Sequence, residues 1–416
     1  MSIYLDHAAT TRPRPEVVAA MDAVLDDAWA NPSSTHAFGR RARAALDDAR
    51  ESVARDLRVD AREVVFTSGG TEAINLAIKG AAWAGKARGH QLISTAVEHE
   101  AVLNALAHLE KFGFEVILLP VDRYARVDPD ALSAALSERT VLVSLQYVNN
   151  EVGTVQPLSE LVRRARMQRH VLVHVDAVQA APWMDLDVPA LDVDLVSIAA
   201  HKLEGPKGVG ALYIRRGTAL LAQQHGGSQE RHRRAGTENV AGAAGLARAL
   251  HLARQERPDV PERARGLRDR LRDAVLAVPG VELTGHPRDR APGHLSVVVR
   301  DADGQSLVTA LDLEGIACSS GSACAAGSTE PSHVLTAMGY PPEEARGALR
   351  LTLGRSTTTE EIQIACRVVP EVIARVREGS RALVADTPAA PAARVPVSVP
   401  DSVPDARGGY EPRDPE

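Results

Sequence analysis

Several polar clusters in this chain follow directly after apolar runs, and each holds a side chain able to do chemistry. "TSGGTEA" (67–73) sets Gly69, Gly70 and Thr71 between a strand-like run and a helix-like one. Glycines admit close approach of a ligand, and a helix N-terminus offers free N–H groups and the positive end of its dipole. The stretch reads as a phosphate seat, or as a plain helix cap with Thr71 as the capping residue. "HVDAVQ" (174–179) ends an apolar run on Asp176. That carboxylate faces the crevice of an open α/β sheet, or caps the next helix. "SIAAHKLEGPKGVGAL" (197–212) carries Lys202. Lysine forms Schiff bases with aldehydes, and arginine does not. Only five lysines (Lys79, Lys86, Lys111, Lys202 and Lys207) stand among 48 basic residues, so a lysine in a polar motif is notable. Lys207, in "GPKG", reads as an exposed loop lysine. "VEHEAV" (97–102) offers His99 as a ring-stacking imidazole or a helix-capping one, and "YVNNEVG" (147–153) puts Asn149 and Asn150 at a turn or a site.

These clusters need a common frame, and the apolar runs supply one. "EVVFTS" (63–68), "QLISTA" (91–96), "EVILLPV" (115–121), "VLVSLQYV" (141–148), "VLVHVDA" (171–177), "DLVSIAA" (194–200) and "GVGALYI" (208–214) read as strands separated by helical patterns, including 71–85 and 101–113. Strands buried on both faces and alternating with helices predict an α/β domain with a mostly parallel sheet. The C-terminal ends of such strands share one edge. That edge would gather Gly70, Thr71, His99, Asn150, Asp176 and Lys202. A phosphate seat, a stacking imidazole, a carboxylate and a Schiff-base lysine are the parts that hold pyridoxal 5'-phosphate. The carboxylate keeps the pyridine nitrogen protonated, which makes the ring an electron sink.

From about residue 240 the pattern changes. One long Arg- and Ala-rich helix is expected over roughly 240–277, followed by "VELTG", "HLSVVVR", "SLVTALDLEG" and "ALRLTLG", as in a smaller α+β domain. The expected division is an N-terminal segment (1–15) packing with the small domain, a large domain (16–255), the small domain (256–384) and a disordered Pro/Ala-rich tail (385–416). A length of 416 residues suits two domains. A net charge of −6 gives no reason to expect nucleic acid. No apolar run approaches the ~18 residues of a membrane span. The N-terminus lacks a secretory pattern. Three cysteines without a disulfide framework fit the cytoplasm.

Two of those cysteines lie in "GIACSSGSACAAGSTEP" (315–331), among small residues that suit a mobile loop. Cys318, beside the apolar "LEGIA", reads as a half-buried residue at the loop base. Cys366, in "EEIQIACRVV", reads as core.

Taken together, these motifs resemble the cysteine desulfurases, fold-type I pyridoxal-phosphate enzymes of the class V aminotransferase group. The resemblance runs through "YLDHAATT" (4–11), "NPSSTHAFGR" (31–40), "TSGGTEAINLAIKG", "VEHEAV", "VNNEVGTVQP", "HVDAVQ", "AAHKLEGPKGVGALY", "RRAGTEN" (233–239), "CSSGSAC" (318–324) and "LRLTLGRSTT" (349–358). It implies a seven-stranded, mostly parallel sheet in the cofactor-binding domain and an α+β C-terminal domain. Lys202 is then the Schiff-base lysine. Asp176 pairs with the pyridine nitrogen, Gln179 with the ring oxygen, and His99 stacks on the ring and assists proton transfers as a catalytic residue. Gly70, Thr71 and His201 hold the phosphate. Thr237 reaches the phosphate of a neighbouring subunit, which implies a homodimer. Asn150 and Arg350 orient the substrate carboxylate, and Arg350 has the planar fork for it. Cys324 is the nucleophile that takes sulfur from L-cysteine as a persulfide, leaves L-alanine, and passes the sulfur on. The acceptor would be an iron–sulfur scaffold or a thiolation enzyme, and Cys324 would serve as an iron–sulfur ligand only during transfer. No resident metal is implied. A selenocysteine lyase or another class V transaminase-like enzyme is the alternative on the same scaffold. The chain departs from the family at Glu204, where an aromatic residue or His is common, and at Ala199, where Ser is frequent. Its C-terminal tail also differs from the segment with which some members dock a scaffold protein.

Overall fold

The computed structural model describes residues 2–321 and 331–385. A short strand β1 (Ile3–Tyr4) opens the chain, followed by helices α1 (Pro15–Asp27) and α2 (Ala37–Leu57). Then come β2 (Val64–Thr67), α3 (Gly70–Gly85), β3 (Gln91–Thr95), α4 (Glu100–Glu110), β4 (Glu115–Leu119), α5 (Pro129–Ala135) and β5 (Thr140–Gln146). The sheet continues through α6 (Leu158–Ala165), β6 (Leu172–Asp176), α7 (Val188–Leu191), β7 (Leu195–Ala199) and β8 (Gly210–Ile214).

The seven strand-like runs become one seven-stranded sheet of order β2-β8-β7-β6-β5-β3-β4. Neighbours from β7 to β4 pair in parallel, while β8 pairs antiparallel with both β7 and β2. Every residue of β2, β3, β5, β7 and β8 is buried, as expected of strands covered on both faces. One apolar cluster, including Val143, Val173, Val196, Leu246 and Leu250, fills one side of this sheet. Another, including Ile74, Ile78, Val102 and Leu106, joins α3 and α4 to it.

The single helix expected over 240–277 is two helices, α8 (Val240–Gln255) and α9 (Val260–Leu276). Proline has no N–H and disfavours helix in the residue before it. Pro258 falls in the break, and Pro261 sits in the first turn of α9, where proline is tolerated. Beyond lie β9 (Val281–Leu283), β10 (His294–Val299), α10 (Gly304–Leu313), β11 (Ile316–Ala317), α11 (His333–Ala337), α12 (Pro342–Ala345), β12 (Ala348–Thr352) and α13 (Thr359–Ala385). β12, β10 and β9 form an antiparallel sheet over a cluster that includes Leu271, Val297, Leu349 and Ile373. The N-terminal segment joins this lobe: β1 pairs in parallel with β11, and Asp6 bridges to Thr352. Cys318 and Cys366 are both half-buried against the same cluster. The tail expected over 385–416 lies outside the described residues from 386 onward. Among the described residues no helix is long and apolar enough to cross a membrane.

Candidate active site

A cavity of about 360 Å³ opens at the C-terminal edge of the large sheet. Gly70, Thr71, His99, Asn150, Asp176, Gln179, His201, Lys202 and Arg350 all line it. Ala8, Gln146, Val148, Val178 and Ala199 complete much of its wall. Residues from 70 to 202 meet there because strand ends in a parallel sheet share an edge, and Arg350 reaches the same cavity from β12 of the smaller antiparallel sheet.

Gly70, not Thr71, begins α3, with Gly69 at the cap position. A Cβ on Gly70 would lie 3.0 Å from Val178 Cγ2 and 3.4 Å from Ala199 Cβ. Glycine there lets the start of α3 lie against the ends of β6 and β7. His99 combines both readings of its motif. It caps α4, its Nδ1 accepting from the Ala101 N–H at 3.0 Å, and it also lines the cavity.

Asp176 ends β6, 7% exposed, and accepts one hydrogen bond from the Val178 N–H at 2.9 Å. Burial pushes its carboxyl above the usual range, although Val178, His99 and Lys202 pull the other way. Gln179 donates from Nε2 to the Ala8 carbonyl at 2.8 Å. His201 lies 3.2 Å from Thr10 Oγ1 through Nδ1. Burial, and then the Lys202 charge, lower its pKa to about 4, so the ring is neutral near pH 7.

Lys202 follows β7 on a 3-10 turn. Its Nζ donates to the carbonyls of Ala8 and Ala9 at 2.5 and 2.7 Å. Lys207 is exposed. Asn149 is buried and shapes the turn: its Oδ1 accepts from the Glu151 and Val152 N–H groups, and its Nδ2 donates to Val97 O. Asn150 reaches the cavity, and its carbonyl accepts from Arg350 Nη1 at 3.0 Å.

Arg350, on β12, is 1% exposed. It also donates from Nη1 to Gly321 O and from Nη2 to Asp6 Oδ1, each at 3.0 Å. Its buried Nε has no hydrogen-bond partner among the described residues.

One expected residue, Thr237, is not at this cavity. Thr237 is exposed and lines a separate recess with Trp29, Pro32 and Asn239. Cys324 lies outside the described residues. Cys318 is described, and burial pushes its thiol up to about 12.

Two participants did not stand out in the sequence. Gln146 ends β5 as Asp176 ends β6, so a polar residue closing an apolar strand was the available signal. Glu98, next to His99, is wholly buried. Its Oε1 accepts from Thr95 Oγ1 and the Gln146 N–H, both at 2.9 Å, while Oε2 has no partner among the described residues. Burial, opposed by those donors and reinforced by Asp176, raises its pKa to about 8. Among the described residues no cluster of His, Cys, Asp and Glu could hold a metal ion.

The family model "Aminotransferase class-V" matches residues 3–364. The chain is 45% identical over 379 residues to "Cysteine desulfurase IscS" of Methanosarcina thermophila, covering 91% of this chain and 94% of that relative. It is 46% identical over 376 residues to the protein of the same name from Dictyoglomus turgidum, covering 90% and 95%. Among solved structures, a "NifS-like protein" superposes with a TM-score of 0.85 at 36% identity, over 90% of this chain and all of that one. Fold, cavity and likeness agree, and the chain belongs to the class-V aminotransferase family, in the branch that holds the cysteine desulfurases.

Proposed function

We propose that this chain is a pyridoxal-phosphate-dependent cysteine desulfurase, which converts L-cysteine to L-alanine and hands the sulfur, through Cys324, to an acceptor protein. The observation that carries this reading is the meeting of Lys202, Asp176, His99 and Arg350 on one cavity in a chain of this family.

The residues fit the cofactor. The start of α3 beside Gly70 presents backbone N–H groups to a phosphate, with Thr71 and neutral His201 next to it. A pyridinium proton would relieve the buried Asp176 carboxyl. Gln179 and the ring of His99 line the space between. When bound, pyridoxal phosphate supplies an aldehyde for a Schiff base and a ring that draws electrons from the substrate's α-carbon.

The chain's own groups do the rest. Lys202 would hold the cofactor through its amine and, once its amine is free, would move the substrate's α-proton. The Ala8 and Ala9 carbonyls give its amine a fixed seat when it is detached. Arg350 and Asn150 orient the substrate carboxylate, which supplies the acceptor that Arg350 Nε lacks. The Cys324 thiolate attacks the substrate's sulfur. The S–Cβ bond breaks with its electron pair on carbon, which takes up a proton and leaves in alanine. The sulfur stays on Cys324 as a persulfide.

Trp29, which lines the Thr237 recess, and Phe38 lie with ring centroids 5.7 Å apart and planes tilted by 36°, and they are 65% and 49% exposed. Two exposed aromatics beside that recess support a homodimer in which Thr237 completes the partner's phosphate site. The lobe boundary belongs at 255/256, where α8 ends. A reducing cytoplasm suits a free nucleophilic thiol.

The test is direct. Purified protein given pyridoxal phosphate should show a visible absorbance band and should release alanine from L-cysteine. A colourless protein, or one that forms no alanine, overturns the reading. A strong rate preference for L-selenocysteine would favour the lyase alternative.

A further inference from the structure

Behind Lys202 lies a second cavity. Lys202, Gln179, Ala8 and Val148 line both this one and the first. Its far wall is ionic. Arg14, Glu204, Arg355 and Glu256 close a ring of alternating charge. Arg14 Nε lies 2.5 Å from Glu204 Oε2, and that oxygen lies 2.8 Å from Arg355 Nε. Arg355 Nε is 3.7 Å from Glu256 Oε2, and Glu256 Oε1 is 2.9 Å from Arg14 Nη1. The side chains of Arg14 and Glu204 are only 4% and 10% exposed. Charges that deep are tolerated when they neutralise one another.

The ring joins four distant segments: the turn before α1, the turn after Lys202, the end of α8 and the stretch after β12. Glu204 is its buried acid. Its backbone is left-handed, φ 59°, which is uncommon for a residue with a Cβ. The N-terminal strip holds it there. The Glu204 N–H donates to Thr11 Oγ1 at 2.7 Å, and its carbonyl accepts from the Arg14 N–H at 3.0 Å. The same strip grips the rest of the turn: Thr11 donates to His201 O from both N and Oγ1, and Lys202 Nζ reaches Ala8 and Ala9. On the other side, Arg355 follows the strand that carries Arg350.

We propose that Glu204 is a positioning residue for Lys202: through the ring it fixes the turn 201–204 against the N-terminal strip and the Arg350 strand, and it keeps two guanidinium charges neutral behind the lysine. This rests on the role given to Lys202 above. The charged and titratable groups around that amine are Asp176 from β6, His99 at the head of α4, Arg350 from β12 and His201 beside it. Across the second cavity they are His7, Arg14, Glu204, Glu256, Arg257, His294 and Arg355. Taking the negative charge from Glu204 leaves an excess of positive charge on that side, which disfavours a protonated nitrogen on Lys202.

The experiment is a pH titration of the cofactor's visible band in holoenzyme, wild type against Glu204→Gln and Glu204→Asp, with thermal unfolding alongside. Glu204→Gln should lower the midpoint by about one pH unit, the size expected of one charge at intermediate distance and dielectric, and Glu204→Asp should restore part of the shift. A wild-type midpoint in Glu204→Gln overturns the proposal, whatever its melting temperature. If Glu204→Gln does not hold the cofactor, Arg355→Gln serves. It removes a positive charge and should raise the midpoint, and no change there is equally fatal. A wild-type protein with no visible band would overturn the cofactor reading instead.

Discussion

Lys202 stands between two cavities of opposite character. On the sheet side, the groups are incompletely satisfied. Asp176 is buried with its pKa raised, Arg350 Nε has no hydrogen-bond partner among the described residues, and His201 is held neutral. On the far side, Arg14, Glu204, Arg355 and Glu256 pair their charges with one another, although Arg14 Nη1 and Glu256 Oε2 make no hydrogen bond among the described residues. Strained protonation and missing partners are costs that a ligand can relieve. A ring of two guanidinium and two carboxylate groups leaves a ligand no net charge to neutralise. The comparison therefore assigns binding to the first cavity and positioning to the second, although the same lysine borders both.

The largest blow to this division is Lys202→Ala. It should cut alanine formation from L-cysteine by on the order of 10⁴-fold, the upper range for a lost proton-transfer group, and it should remove the Schiff-base absorbance. Next is Arg350→Lys, which keeps charge but loses the planar fork. KM for L-cysteine should rise roughly 10–100-fold, as expected for one charged hydrogen-bonded pair, with kcat less affected. An unchanged KM would mean that the vacant Nε is no measure of the site.

A sharper contrast concerns protons beneath the sheet edge. His174 is wholly buried between Ser144 Oγ and Ser197 Oγ, each 2.9 Å away, and burial lowers its pKa to about 3. A histidine depressed on folding stabilises fully above its unfolded pKa, about 6.5, and progressively less as pH falls toward 3. Glu98, raised to about 8, has the opposite sign: its contribution is present below about 4.5 and is lost as pH rises to 8. In urea unfolding, the stability cost of His174→Gln should shrink by about 2 kcal/mol from pH 8 to pH 5. The cost of Glu98→Gln should instead shrink as pH rises over the same range. Costs independent of pH would contradict both assignments. The smallest effect belongs to Cys318→Ala. Its thiol, pushed up to about 12, stays protonated, so alanine formation should stay within about twofold of wild type.

Much of this was legible in the chain. Seven β-branched runs became the seven strands, and Asp176, His99, Asn150 and Lys202 met at one edge because strand direction puts their ends together. The reversal of β8 had a local cause. Residues 200–209 are too few for a parallel crossover, which takes roughly a dozen or more. The break between α8 and α9 was written in Pro258 and Pro261, but the apolar periodicity on either side obscured it. What no local pattern carries is long-range pairing. The Lys202 seat on Ala8 and Ala9 and the meeting of Arg14 with Glu204 span nearly half of the chain. Glu98 was hidden for a different reason, since a Glu preceding a helix reads as a solvent-facing residue until its burial is seen.

The most direct test of the central claim is to locate the sulfur. Wild-type protein and Cys324→Ser, both loaded with pyridoxal phosphate, are given L-cysteine without reductant and digested under conditions that preserve persulfides for mass spectrometry. The account predicts one added sulfur atom on the wild-type peptide that carries Cys324. It predicts none in the variant, which keeps its visible band but releases alanine far more slowly. Sulfur found on Cys318 or Cys366, or undiminished alanine release by Cys324→Ser, would contradict it.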